Sequence, residues 1–316
     1  MISFDYLPQG INGMANAHHA GTMAGHLGAA VLAGYFFGED QNELPDAVYQ
    51  GVSQELDRVI AGEEAIWFNA KQKGLTPTEL FRKLPAEEPQ PEQIPSIAKA
   101  LESNVGQTRQ SGHNIIFASI AIRAFHDHPD LATPSAINGT RKLITGFDNA
   151  HAGRGYYGRE KGWLIGNQVK LPEPSEVPAY RTIPDMVNAT ITELIETASI
   201  RRQGFGGLWH LINHAAAITE LDRFGYKALA LKALPAHHHH LRLLRSLPDL
   251  KQELGIVVKA DYDPRKPAFW DGMLKRDEAR LTHRIKTLYG FYTLRRHIES
   301  DTTRQEAEDA LLYLMA

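Results

Sequence analysis

The amino-acid sequence predicts an all-α protein, an array of helical hairpins around a central cavity in the manner of a barrel or toroid. Nearly every long segment repeats apolar residues at the spacing of an amphipathic helix, and only the short runs 163–171 and 256–258 have the character of strands. Three of the helical segments are Ala-rich and carry histidines near their starts. These segments are HHAGTMAGHLGAAVLAGYFFG (18–38), GHNIIFASIAIRAFHDH (112–128) and GLWHLINHAAAITELDRFG (207–225).

Each predicted helix has an apolar stripe that faces a partner. In residues 46–69, for example, Val48, Val52 and Leu56 form the stripe, and charged residues occupy the opposite face. The charged segment that follows residue 272 is expected to be a solvated amphipathic helix. The predicted helices cover residues 18–37, 46–69, 76–83, 95–109, 112–127, 134–147, 184–202, 207–223, 226–234, 236–247, 272–299 and 302–315.

Two proline-rich, acidic connectors interrupt the helices, at residues 84–95 and 171–184. Proline lacks a backbone donor and restricts the residue before it, so both connectors are predicted to be extended loops. Histidine-bearing helices lie on both sides of each connector along the chain. We therefore expect residues 1–316 to form a single α-helical domain that contains both loops, not separate domains joined by linkers.

Composition and charge exclude several classes of protein. The chain of 316 residues has a net charge of −3, which is not the basic footprint of a nucleic-acid-binding protein. It has no cysteine, which excludes disulfides, thiolate catalysis and Cys-ligated zinc. The longest apolar run, 27–37, is far shorter than the roughly 20 residues that span a bilayer. We expect a cytoplasmic protein that acts on a small molecule, with neither nucleic acid nor membrane as a partner.

The histidine spacing is typical of a metal site. His19 and His26 are seven residues apart and can share one face of a helix, and His210 and His214 are four apart, one helical turn. With His113, they offer nitrogen ligands from three helices, and such a set suits Fe, Zn, Cu or Ni. The alternative stays open that each histidine donates to a backbone carbonyl or caps a helix.

Two further polar features lie in one apolar segment. The run His237–His240 covers one helical turn, so at most two members can face inward, and solvated surface is its expected state. Lys232 lies in the apolar stretch ALALKALP. Its ammonium either reaches water along the helix surface or is buried and reactive.

The stretch GRGYYGREKGW (153–163) matches a dinucleotide-binding fingerprint on paper through Gly153, Gly155 and Gly158. That fingerprint requires a preceding strand and a following apolar helix, and neither is predicted here. The loop combines arginine and aromatic residues with glycine. It is interpreted as a candidate lid over a cavity.

The three histidine segments resemble those of questin oxidase-like proteins. SGHNIIFASIAIRAFHDHPDL is similar to their Gly-His helix, and HHAGTMAGHLGAAVLAGYFFG and GGLWHLINHAAAITEL resemble their N-terminal and later His helices, in the same order. The resemblance covers the regions 15–60, 95–150 and 190–245. The chain is shorter than typical members, and the GRGYYG loop and the four-histidine run are departures from them.

This resemblance implies an α-helical oxygenase that acts on polyketide-type aromatic compounds, some members cleaving a ring. It implies a non-heme iron, Fe(II) or another divalent metal, held mainly by histidines with a modified lysine as a further ligand. Carried over to this chain, the ligands are His26, His113, His210 and His214, with His19 in reserve. Lys232 takes the place of the lysine.

Three functions follow as hypotheses. The first is a metal-dependent, O2-using oxidoreductase, either monooxygenase or dioxygenase, for a small apolar or aromatic compound. The second is an α/α-toroid hydrolase, lyase or epimerase in which the histidines and Tyr156 or Tyr157 perform acid–base chemistry. The third is a non-catalytic helical binding protein with hydrogen-bonded core histidines. The sequence leaves the substrate, the product and the oligomeric state open.

Overall fold

The computed structural model describes residues 1–63, 71–271 and 281–316, and it confirms the all-α prediction. Among these residues, none of the helices is long and apolar enough to cross a bilayer. The fourteen α-helices within the described part of the chain are α1 (Tyr6–Asn16), α2 (Gly25–Asp40), α3 (Asp46–Ala61), α4 (Pro77–Leu80), α5 (Pro95–Leu101), α6 (His113–Asp127), α7 (Pro134–Thr145), α8 (Ile183–Thr197), α9 (Gly207–Arg223), α10 (Lys227–Arg245), α11 (Lys251–Leu254), α12 (Pro267–Trp270), α13 (Leu281–Arg295) and α14 (Asp301–Met315).

The chain forms two compact units whose segments alternate along the sequence. Unit one consists of Met1–Ser103, Phe117–Asp148 and Tyr262–Tyr289; unit two consists of Asn104–Ile116, Asn149–Asp261 and Gly290–Ala316. The connector 84–95 lies inside unit one, and the connector 171–184 lies inside unit two. Neither proline-rich segment therefore marks the division of the chain.

Unit one is built on glycines that let helix backbones approach closely. A Cβ atom on Gly28 of α2 would lie 2.4 Å from the backbone nitrogen of Met14 in α1. A Cβ atom on Gly139 of α7 would likewise lie 2.4 Å from the carbonyl oxygen of Ala15. Because backbone atoms cannot move aside as a side chain can, these positions require glycine.

The first predicted helix, 18–37, is shorter in the structure. Gly21 has a φ of +98°, and two 3₁₀ turns, Ala17–His19 and Thr22–Ala24, precede the start of α2 at Gly25. The expectation that His19 and His26 share one face of a single helix is therefore wrong. The left-handed backbone at Gly21 ends any continuous helix between them.

Unit two packs α9 against α10 and α8, and α14 against α8. A buried carboxylate ties this packing together, because Glu193 of α8 accepts from Arg202 at 3.2 Å and from Arg245 of α10 at 2.7 Å. The prediction of two helices, 226–234 and 236–247, is wrong, since α10 continues through Pro235. The carbonyl that loses its donor there belongs to Leu231, an exposed residue, so water can satisfy it.

The only sheet within the described residues is a short hairpin in unit two. β1 (Arg154–Tyr156) pairs antiparallel with β2 (Trp163–Ile165), and Gly155 also pairs with Gly204. Gly153, Gly155 and Gly158 thus lie in or beside a hairpin and not at the start of a helix, unlike a dinucleotide-binding turn.

Candidate functional site

The two histidines of α9 contact different partners. The ring of His210 packs edge-on against that of His113 at 4.4 Å between centroids, whereas His214 lies beside His237 at 5.0 Å and His240 at 5.6 Å. All five side chains are buried. We call His113 and His210 the histidine pair, and His214, His237 and His240 the histidine trio. The ring contacts of His210 and His214 thus differ, although these residues lie one helical turn apart.

Hydrogen bonds fix the proton positions in the trio. His240 donates from Nε2 to the carbonyl oxygen of Phe205 at 2.7 Å, so its neutral ring has a lone pair on Nδ1. That lone pair faces Nδ1 of His214 at 3.3 Å, and His214 must therefore be the donor. With its proton on Nδ1, His214 carries a buried lone pair on Nε2.

His237 has a partner at both ring nitrogens. Its Nε2 donates to the carbonyl oxygen of Leu211 at 3.1 Å, and its Nδ1 accepts from the Tyr180 hydroxyl at 2.7 Å. Burial raises the pKa of Tyr180, which keeps this hydroxyl a donor. His237 is therefore a fixed, saturated member of the trio.

Burial also keeps the trio neutral. It lowers the pKa of His237 to about 3 and that of His240 to about 4, and it holds the pKa of His214 well below its ordinary value of 6.5. Neighbouring imidazoles lower all three pKa values further, because two like charges in one buried site repel. At neutral pH these rings are hydrogen-bonding and ligating groups and not cations.

His113 is held in one tautomer by the turn that precedes it. Its Nδ1 donates to the carbonyl oxygen of Gln110, so the lone pair lies on Nε2. A histidine that donates one ring N–H to a backbone carbonyl and keeps the other nitrogen as a base has the usual arrangement of a metal ligand.

Strained backbone lies at both turns that hold these rings. In the described part of the chain, the non-glycine residues with positive φ are Gln110 (+42°), Ser111 (+60°) and Phe205 (+47°). Gln110 and Phe205 are the residues whose carbonyls accept from His113 and His240. Such conformations cost about 1–3 kcal/mol each and cluster at binding and active sites.

The segment 151–154, where the predicted lid loop begins, is hydrogen-bonded to both of these turns. The backbone N–H groups of Gln110 and Ser111 donate to the carbonyl oxygens of His151 and Ala152, each at 2.8 Å. The backbone N–H of Phe205 donates to the carbonyl oxygen of Arg154, also at 2.8 Å. The segment 151–154 therefore joins the turn before α6 to the turn before α9. The loop 153–163, interpreted as a candidate lid, therefore begins with two residues that belong to this hydrogen-bonded segment.

Glycines provide the space for two of the rings. A Cβ on Gly112 would lie 2.6 Å from Cγ of His214, and a Cβ on Gly206 would lie 2.2 Å from Cγ of His210. Both glycines also have positive φ, +86° and +73°. The conformation and the close approach both require glycine at these positions.

Two neighbouring side chains of α9 keep polar atoms without a hydrogen-bond partner among the described residues. They are Nε2 of His214 and both Oδ1 and Nδ2 of Asn213, which is 4% exposed. A buried polar group that makes no hydrogen bond costs about 1–3 kcal/mol. Sequence reasoning missed Asn213. Its position three residues after His210 was the available signal, because that spacing returns to the same face of a helix.

Unit one contains its own group of nitrogen-bearing side chains. His26 of α2 is fully buried, and its ring lies 5.1 Å from that of His283, with ring nitrogens within 4.8 Å of one another. Nδ1 of His26 contacts Nζ of Lys286, which is only 2% exposed. We call these three residues the His26 group. His283 and Lys286 were missed because their segment was expected to be a solvated helix, whereas most of the described residues of α13 are buried.

The structure does not support three of the sequence expectations. His19, the reserve ligand, is exposed in a 3₁₀ turn of unit one. Lys232 is exposed on α10, outside the buried nitrogen groups, so the choice of this residue as the modified-lysine ligand has no structural support. The solvated state expected for the His237–His240 run is wrong, since His237 and His240 are fully buried. Since these two residues are three positions apart, they share the inner face of α10. The prediction that at most two members of the run face inward is thus confirmed.

Comparison with protein-family models, with curated proteins and with solved structures finds no match for this chain.

Proposed function

We propose that the protein is a metal-dependent oxidoreductase that holds a non-heme iron by histidine nitrogens and uses O2 on a small apolar or aromatic compound. One observation carries this proposal: the buried His113 ring, fixed by a strained carbonyl so that Nε2 bears the lone pair, lies against the buried His210 ring. In unit two, the nitrogen ligands offered to this iron are His113 and His210. The His26 group is a second candidate, within unit one.

The donor chemistry fits a first-row transition metal. Neutral imidazoles suit Fe, Zn, Cu or Ni, whereas Mg²⁺ and Ca²⁺ prefer oxygen ligands. Ferrous iron, when bound, supplies the electron transfer to O2 that side chains alone do not perform. The chain contributes rings whose orientation is set before any metal binds, since the Gln110 carbonyl and the glycine at position 206 hold His113 and His210 in place.

Metal ligation by His26 would require a particular protonation state of its neighbour, Lys286. To ligate through Nε2, the ring must carry its proton on Nδ1, and that proton faces Nζ of Lys286. Only a neutral amine can accept it. Lys286 is therefore a positioning residue for His26 in the proposed function.

The observations favour this function over metal-free acid–base chemistry. The low pKa values of His237 and His240 make these rings weak bases at neutral pH. The tyrosines considered for that role have other partners: Tyr156 donates to Glu253 at 2.5 Å, and Tyr157 lies 2.6 Å from the Ser246 hydroxyl.

Elemental analysis of the untagged full-length protein tests the proposal. We expect near-stoichiometric iron in the wild type. His113→Ala and His210→Ala should each lower the iron content at least about tenfold, because each variant lacks one of the ligands. The same measurement on His26→Ala and His283→Ala tests the ligands of unit one.

His297→Ala is the matched control, because His297 is an exposed histidine of unit two. It should keep the full iron content, and circular dichroism should show that each variant remains helical. A wild type without metal, or metal that survives all four ligand substitutions, would overturn the proposed function.

A further inference from the structure

Asn213 and His214 present three buried polar atoms from one turn of α9, and the histidine pair uses neither residue. We infer that these two side chains are the polar contact by which the site binds its substrate, a compound that carries both a hydroxyl and a carbonyl group. The inference rests on the proposed function and specifies the substrate class.

His214 requires a hydrogen-bond donor from outside the described residues. Its Nδ1–H is used by His240, which is itself tied to the Phe205 carbonyl, so Nε2 has a lone pair. No described residue donates to that nitrogen, and the side chain is fully buried. A hydroxyl of a bound molecule is the group that meets this need in an apolar setting.

Asn213 requires an acceptor for its Nδ2 and a donor for its Oδ1. A carbonyl oxygen accepts from Nδ2. The amide fits beside α13 only because residue 290 is glycine, since a Cβ there would lie 2.4 Å from Oδ1. The fold thus makes room for a buried amide and leaves its hydrogen bonds to be completed by something else.

The position along α9 links this polar contact to the proposed chemistry. Asn213 and His214 follow His210 by three and four residues, which is about 4.5–6 Å along the helix axis. A molecule held by them therefore lies about one helical turn from a candidate iron ligand. Ala216 and Ala217, both buried, continue the helix beyond it with small side chains.

Three probes of nearly equal size separate the two hydrogen bonds. Calorimetric titration of the metal-loaded protein would use 3-hydroxyacetophenone, acetophenone, which lacks the hydroxyl, and 3-ethylphenol, which lacks the carbonyl. We expect the wild type to bind the first at least about tenfold more tightly than either control, because each control leaves a buried polar group of the protein without a partner. Equal affinity for the three probes, as expected if ordered water satisfies both residues, would overturn the inference.

Substitution assigns each preference to its residue. Asn213→Leu should bind 3-hydroxyacetophenone no better than 3-ethylphenol, and His214→Phe should bind it no better than acetophenone. Asn188→Leu, which changes an exposed asparagine of unit two, should behave as the wild type. Unchanged discrimination by Asn213→Leu would overturn the inference.

Stability and iron content separate substrate recognition by Asn213 from a structural role of its amide. Asn213→Leu removes unsatisfied polar atoms, so its Tm should stay level or rise; a fall in Tm would show that the amide is a structural group and would overturn the inference. Its iron content should equal that of the wild type. If the wild type holds no iron and still prefers 3-hydroxyacetophenone, the proposed function fails while the recognition role of Asn213 and His214 stands.

Discussion

The buried imidazoles of unit two and of unit one are held by different kinds of partner. In unit two, His113, His237 and His240 each donate to a backbone carbonyl, those of Gln110, Leu211 and Phe205. In unit one, His26 instead faces the amine of Lys286. A carbonyl oxygen is an acceptor at every pH, whereas an amine changes its role when it gains a proton. The tautomers of His113, His237 and His240 are therefore set by the backbone, and that of His26 depends on the protonation of a side chain.

The two units also differ in where glycines and strained backbone lie and in what they do. The two carbonyls at Gln110 and Phe205 come from residues with positive φ, and glycines next to them make room for the rings. Unit one uses its glycines to bring helix backbones together, as at Gly28 and Gly139. Backbone strain in unit two thus serves to orient histidines, and close packing in unit one serves the core.

The largest expected effect is the loss of stability in acid. His237 and His240 have folded-state pKa values of about 3 and about 4, below the unfolded value of 6.5. Between these values the unfolded chain binds protons that the folded chain does not bind. Their contribution to the free energy of unfolding is complete above pH 6.5 and is lost as the pH falls below that value. At pH 5 the loss is about 2 kcal/mol for each histidine. Urea unfolding of the metal-free protein at pH 8 and pH 5 measures this change.

The exposed His297 provides the control for that titration. His297→Ala should reproduce the wild-type dependence on pH, because it removes an exposed imidazole that is not a member of the trio. A free energy of unfolding that is the same at pH 8 and pH 5 would mean that the trio is not held neutral.

A substitution of intermediate effect tests whether the rings of unit two need their glycines. Gly206→Ala should lower the free energy of unfolding by about 3 kcal/mol, because the new Cβ meets Cβ and Cγ of His210 in a left-handed backbone. Gly207→Ala is the matched control. Its φ is also positive, but no heavy atom lies within 4 Å of the added Cβ, so the loss should be about 1 kcal/mol. Equal losses in the two variants would show that the approach of His210 is not tight.

The smallest pair of effects should differ in sign between the units. Tyr180→Phe removes the donor to Nδ1 of His237 and should lower stability by about 1 kcal/mol. Lys286→Met replaces a buried amine by an apolar chain of similar length and should raise the stability of the metal-free protein by about 1 kcal/mol. Thermal unfolding followed by circular dichroism measures both. A Lys286→Met variant that is destabilised would show that the amine, like the carbonyls, is a structural partner.

Parts of the site could be predicted from the sequence because they depend on local patterns. The segment 112–128 and the segment 207–225 were identified as histidine-bearing helices, and the structure places helices at His113–Asp127 and Gly207–Arg223. The burial of His113, His210 and His214 follows from the apolar residues that surround them on each helix. These features need only the neighbours within a few turns of one helix.

Other parts could not be predicted because they depend on long-range partners. Sequence spacing cannot tell whether His210 and His214 face one partner or two, since that depends on where α6 and α10 lie beside α9. It also could not show that Asn213 stays without hydrogen bonds, because an asparagine at a helix surface usually finds water.

The residue pattern alone established a helical protein without cysteine and with histidines on apolar helix faces, because helix periodicity and composition are local properties of a chain. Tertiary packing established which ring nitrogen of His237 and of His240 carries the proton, since that depends on the distant carbonyls of Leu211 and Phe205. It also established that Lys232 is exposed while Lys286 is buried. The lysine in the more apolar segment is the exposed one, because burial is decided by contacts between elements far apart in the sequence.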